Sequence, residues 1–260
     1  MLITNPFAEL SESIPPILMQ TYVVVMFILV AAGTIYDTIH KRSATYFFNN
    51  WRNATNKGTR KVSGGEMVSL AIQAAGEGMV SGEFCNARRR VAHLLTMYGF
   101  LSYVITTAIM VLCYPTPASP APVVLPFLWY LGALMICIGG YWFWFFIRVD
   151  VAAEGNSPFR IVRADLFILS LLASATLGLV WAYLQAMDSL WDSVFLGLYL
   201  IATTVLFGSV PWSKFSHMFF KPAAAFQKRV ADANGSRRNL PPPADKPETF
   251  GSARRQPRHY

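Results

Sequence analysis

The chain has 260 residues, of which 54% are hydrophobic and only 14% charged. Soluble domains carry roughly a quarter charged residues, so this balance excludes an ordinary soluble fold and points to a membrane protein. The net charge of +8 does not indicate nucleic acid, because the positive residues are scattered between apolar runs and no basic recognition fold accompanies them.

Residues 1–16 hold no Lys or Arg and end in Ile14-Pro15-Pro16, a sequence suited to the first turn of a helix. This lead is acidic rather than basic. The apolar run that follows, 17–36, therefore reads as a first membrane span and not as a cleaved signal peptide. Asp37 and His40 come just after it. The segment 37–90 is too long for a simple connection. Within it Ser63 and Glu66 offer a cap, and Met67, Leu70, Ala71, Ala74 and Ala75 recur at helical spacing. They predict an amphipathic helix over about 66–80, lying on the membrane or against a partner. Arg88, Arg89 and Arg90 precede a second span, 91–114.

Four prolines, Pro115, Pro117, Pro120 and Pro122, stiffen the turn into a third span, 123–147. That span ends in Tyr141-Trp142-Phe143-Trp144-Phe145-Phe146, an interfacial aromatic belt or, in the alternative, one wall of a quinone pocket. The fourth and fifth spans cover 166–187 and 194–211. Beyond them, Lys214, Phe215, Met218, Phe219 and Lys221 suggest a short interfacial helix. Residues 223–260 form a basic tail, expected to be disordered where hydrophobic period is lacking.

All 22 Lys and Arg residues fall within 37–90, 148–165 and the segment after 211; residues 1–16, 113–122 and 188–193 have none. This is the positive-inside pattern, with the N-terminus outside and the C-terminus cytoplasmic. Runs of about 20 apolar residues without strand alternation imply helices rather than a barrel. The expected fold is all-α integral membrane: a five-transmembrane-helix bundle over residues 1–222, with no soluble domain to hold a site for a polar substrate.

No Asp, Glu, Lys or Arg lies within the five runs, which argues against an ion pump or coupled transporter. Nor is there an obvious repeat with broken helices, as many transporters have. Cys85, Cys113 and Cys137 are isolated, so the chain carries no iron–sulfur or zinc framework. Three of the four histidines, His40, His93 and His217, fall at the cytoplasmic ends of spans. His93, two residues inside the second span, is either hydrogen-bonded to a neighbouring helix or an axial ligand of haem iron. His217 or His40 is its candidate partner. Arg88, Arg89 and Arg90 are topology determinants and headgroup contacts, or partners for haem propionates.

Five spans, with a histidine opening the second and another closing the fifth, resemble the nitrate reductase gamma-type family of b-haem, quinone-linked membrane subunits. Ser81-Gly82-Glu83-Phe84-Cys85-Asn86, Ala92-His93-Leu94-Leu95-Thr96-Met97-Tyr98-Gly99-Phe100 and Ser213-Lys214-Phe215-Ser216-His217-Met218 are more closely similar to the membrane anchors of dissimilatory adenylylsulfate (APS) reductases. The similarity covers residues 1 to about 222. It implies a subunit of a bacterial inner membrane that docks cytoplasmic flavin and iron–sulfur subunits and exchanges their electrons with quinone. It implies one b-type haem on His93 and His217. His40, Asp37 and Tyr98 are the candidate quinone contacts. The chain departs from two-haem relatives: residues 94–114 and 194–211 contain no histidine, so a bis-histidine haem near the outer face is excluded. Tyr103 and Tyr199 are the polar residues at that depth. The rival readings are a passive, haem-free anchor and, behind it, a small-molecule transporter.

Overall fold

The structure is a computed structural model that describes residues 4–81, 86–148, 159, 161–212 and 217–236. Among the described residues it is all helical. The long helices are α1 (Pro16–His40), α2 (Ser43–Lys57), α3 (Gly64–Val80), α4 (Ala87–Cys113), α5 (Val124–Trp142), α6 (Leu166–Ala186), α7 (Asp192–Gly208) and α8 (His217–Ala233). Helices α1, α4, α6 and α5, the last extended by a π-turn over Phe143–Ile147, are long and apolar enough to cross a membrane. Helix α7 is apolar but only 17 residues long. The chain is a multi-pass membrane protein on this evidence.

The bundle has two chemically distinct ends. At one, the N-terminal turn Pro6–Glu9 is capped by Asn5 and strapped across the helix ends. Asn5 Nδ2 donates to the Tyr114 carbonyl (2.9 Å) and Gln185 Nε2 to the Pro6 carbonyl (3.2 Å). This strap buries Phe7 against Trp129 and Trp181, with ring centroids 5.6 and 5.4 Å away. At the other end lie Lys41, the arginines at 88–90 and Arg148, and it is called the basic end here.

Helices α4 and α5 run antiparallel at backbone contact. A Cβ on Gly99 would sit 2.7 Å from the Gly132 carbonyl oxygen, and one on Gly139 would sit 2.8 Å from that of Ala92. Seven-residue spacing on both helices keeps these small residues in one seam, the usual means of close approach where lipid supplies no hydrophobic drive. Ser102 Oγ adds a bond to the Leu128 carbonyl (2.9 Å). Helix α1 is pinned differently. Gly33 meets Val210 and Pro211 at the basic end. Nearer the opposite end, the Tyr22 hydroxyl reaches the Leu200 carbonyl and Thr204 Oγ1, each at 3.0 Å.

Three elements differ from the sequence expectation. First, α1 does not stop near residue 36 but continues to His40, because Asp37 is buried (2% exposed) with Lys41 one turn on at 2.5 Å. Second, the 37–90 segment contains two helices, α2 and α3, rather than one. Third, α8 runs through Pro222 to Ala233, well past residue 223, where the unstructured tail was expected to begin. The physical reason is shared. Helices α2, α3 and α8 pack on one another at the basic end, through residues far apart in sequence. Trp51 stacks on Phe226 at 5.8 Å. Gln227 Nε2 donates to the Phe47 carbonyl (2.7 Å), and Asn234 Nδ2 to that of Ala54 (2.9 Å). Arg229 Nη1 donates to Gln73 Oε1 (3.0 Å), and the same guanidinium pairs with Glu77. Residues 237–260 of the expected tail lie outside the described residues.

This platform has a pH dependence of defined sign. Hydrogen bonds from Arg229 hold the Glu77 carboxyl below its usual 4.5, and those from Arg60 do the same for Glu66. A depressed carboxylate stabilises above its unfolded-state value and loses that contribution as pH falls through the folded one. Acidification through 4.5 and below is therefore expected to loosen α8 from α3. Faster amide hydrogen exchange along α8 at low pH, absent in Glu77→Gln, is the measurement that checks it. Both carboxylates are exposed, so the effect is small.

Candidate functional site

Asp37, His40, His93 and the arginines at 88–90 lie near the ends of α1 and α4, and Tyr98 lies three turns into α4. His93 sits one and a half turns into α4. The C-cap of α3 is brought against it: Ser81 Oγ and His93 Nδ1 lie 2.8 Å apart. Ser81 itself is buried and adopts a left-handed backbone (φ 50°), which turns the chain back toward α4. The contact fixes the plane of the imidazole, as a second-shell partner does for a metal-ligating histidine. The side chain of His217, which opens α8, lies outside the described residues. His40 is exposed and stacks on Tyr36, ring centroids 5.5 Å apart.

The remaining candidates have separate neighbours. Tyr98 donates its hydroxyl to the Met79 carbonyl (2.9 Å). Asp37 pairs with Lys41. Arg90 Nε donates to the Val80 carbonyl (2.9 Å), while Arg88 is exposed and Arg89 half-buried. Arg90 and Tyr98, with Ser81, therefore clamp the last turn of α3 onto the first three turns of α4. Of the aromatic run at the end of α5, Trp144 is buried beneath Arg148 and Phe145 and Phe146 are exposed. None of residues 141–146 lines the apolar cavity between α1, α4 and α7.

Sequence reasoning did not foresee a large concave feature between the helices. An apolar cavity of about 380 Å³ lies between α1, α4 and α7, with Ser174 of α6 at its back. On α1 its wall runs from Met19 to Val30, on α4 from Phe100 to Val111 and on α7 from Tyr199 to Phe207. These stretches take up the first half of α1 and the second halves of α4 and α7. The cavity exists because α1 is held at Tyr22 and Gly33 and packs loosely between them. Its few polar groups are mostly satisfied: Ser174 Oγ pairs with Thr203 Oγ1 (2.8 Å), and Thr107 Oγ1 accepts from the Trp129 indole (2.9 Å). The Tyr103 hydroxyl is buried, directed at Gly178 of α6 with the Tyr199 and Ser174 side chains beside it. Its ring is held by stacking on Trp129 at 5.2 Å. His40, Asp37, Tyr98 and His93 do not line this cavity. Its one advance signal was the pair Tyr103 and Tyr199, singled out where histidines are lacking in residues 94–114 and 194–211.

Among the described residues, no group of three or more His, Cys, Asp or Glu could hold a metal ion. Cys113 and Cys137 are free thiols, and Cys85 lies outside the described residues. Comparison with protein-family models, with curated proteins and with solved structures finds no match.

Proposed function

We propose that this chain is the membrane anchor and electron-transfer subunit of a redox complex, exchanging electrons with quinone inside the bilayer. The observation that carries the reading is the apolar cavity, with the buried Tyr103 hydroxyl at its back. An apolar pocket of about 380 Å³ is of ligand size, and ligand pockets characteristically combine apolar walls with a few polar groups. The Tyr103 hydroxyl supplies a donor that could turn from its side-chain neighbours to a ligand carbonyl. A quinone offers a flat apolar ring, an apolar tail and carbonyl acceptors. Tyr103 would hold one carbonyl, and the α1 wall would cover the tail.

In this reading α7 completes a five-span bundle, the N-terminus is outside and the basic end faces the cytoplasm of a bacterial inner membrane. The platform of α2, α3 and α8 receives the partner. By resemblance that partner is the flavin and iron–sulfur pair of an adenylylsulfate reductase. His93 and His217 hold one b-type haem at the basic end, which supplies one-electron transfer between partner and quinone. Ser81 orients His93 for it. The quinone is assigned to the cavity rather than to His40, Asp37 and Tyr98, which have other neighbours.

Organic extraction of the purified full chain tests the quinone claim. Roughly equimolar quinone is expected from the native protein. Ala108→Trp, which fills the cavity from α4, should lose it. Tyr103→Phe should weaken binding of decylubiquinone by about tenfold, the worth of one buried hydrogen bond. Quinone retained unchanged in Ala108→Trp would place its site elsewhere. Its absence from the native protein, together with absence of haem, would favour the passive anchor.

A further inference from the structure

Helix α3 is apolar on two sides. Met67, Leu70 and Ala74 face the protein, with the exposed Gln73 and Glu77 beside them binding Arg229 of α8. Val68, Ile72, Ala75 and Met79 recur at spacings of four, three and four and form a stripe on the opposite side. Val68, Ile72 and Met79 are 60%, 67% and 57% exposed. A helix packed on protein by one side and bathed in water on the other carries polar residues outside. A second apolar stripe, turned away from the packed side, fits an apolar medium there.

The level of the stripe identifies that medium. The last turn of α3 is bonded to α4 at Arg90, His93 and Tyr98. Tyr98 lies eight residues beyond Arg90, about 12 Å along a helix that is long and apolar enough to span a membrane. The stripe therefore lies at the level of the first three turns of α4, where the apolar Val91 and the ring of Tyr98 are exposed. Basic residues frame it, with Arg60 and Lys61 before α3 and Arg88, Arg89 and Arg90 after it, which matches an anionic headgroup layer.

We infer that α3 is an interfacial helix that seats Val68, Ile72, Ala75 and Met79 in the acyl boundary of the leaflet at the basic end. The occupant of this face is an anionic lipid surface. Burying about 5–10 Å into the headgroup–acyl boundary is the ordinary depth for such a helix. The seat also fixes the left-handed Ser81 cap, and with it the ring of His93. The inference does not depend on haem or quinone.

The test uses the full chain with Cys85, Cys113 and Cys137 changed to serine. It is reconstituted into vesicles of phosphatidylcholine and phosphatidylglycerol. Single labels are placed by Val68→Cys, Ile72→Cys or Met79→Cys, with Ile138→Cys on exposed α5 as the lipid reference and Lys57→Cys as the water reference. Labels on the stripe should be quenched by doxyl-labelled lipid like residue 138, several-fold more than residue 57, and shielded from iodide. All five positions are exposed, so folding is preserved and is checked by helical dichroism. Iodide access equal to that at residue 57 would overturn the inference. So would shielding that appears only on adding a soluble partner, or that scales with protein-to-lipid ratio, which would mark a second copy.

Discussion

Asp165→Ala is expected to destabilise the bundle by about 3–5 kcal/mol, because it strands a buried guanidinium. Arg148 and Asp165 close the connection between the end of α5 and the start of α6, with side chains 9% and 11% exposed. Arg148 Nε donates to Asp165 Oδ1 at 2.8 Å, and Nη2 forms a second bond to Oδ2. Oδ2 also accepts from the Val162 amide at 2.9 Å, and the guanidinium lies 4.2 Å over the Trp144 ring. Removing the carboxylate leaves the cation under an aromatic ring with its main counter-ion gone. Replacing both partners, Arg148→Met with Asp165→Leu, should restore much of the loss, since an apolar pair carries no desolvation cost. Reversible unfolding in SDS compares the three variants. Equal losses in the single and double variants would show that the ion pair is not the source.

Gly132→Leu should cost at least as much and should disturb assembly itself. A Cβ there would stand 2.8 Å from the Gly99 carbonyl oxygen and 2.9 Å from the Tyr103 amide nitrogen. Those are backbone atoms, which cannot rotate away as a side chain can. Overpacking a core by a few methylenes already costs about 1–3 kcal/mol, and here two helices must separate along their seam. The Ser102 bond to the Leu128 carbonyl and the Tyr103–Trp129 stack would go with them. Tyr103 would then lose its position in the cavity. Gly197→Leu is the matched control, because nothing lies within 4 Å of a Cβ at Gly197. Unfolding in SDS and monodispersity in mild detergent should separate the two. Similar behaviour of both variants would mean that α4 and α5 do not depend on their glycine contact.

These features differ in how far the sequence disclosed them. Apolar runs locate the spanning helices because the bilayer sets a length that composition must meet. Asp37 hid the true end of α1, since a carboxylate usually marks water and here it is buried beside Lys41. The apolar pattern suggested only a short helix as far as Lys221, yet α8 persists because Phe226, Gln227 and Arg229 find partners on α2 and α3. Those contacts join residues about 150–180 apart, and no local pattern encodes them. The cavity was hidden for a related reason. It is a gap left by α1 between two points of attachment, and gaps have no sequence signature. His93 was legible as a polar residue just inside a span; its partner Ser81 became visible only when α3 folded back on α4.

The most direct test of an electron-transferring subunit is a reduced-minus-oxidised optical spectrum of the purified full chain. A b-type band is expected in the native protein. It should persist in His40→Ala, whose ring is exposed against Tyr36, and vanish in His93→Ala and in His217→Ala. A band unchanged by His93→Ala, or none in protein from haem-replete membranes, would contradict the haem assignment.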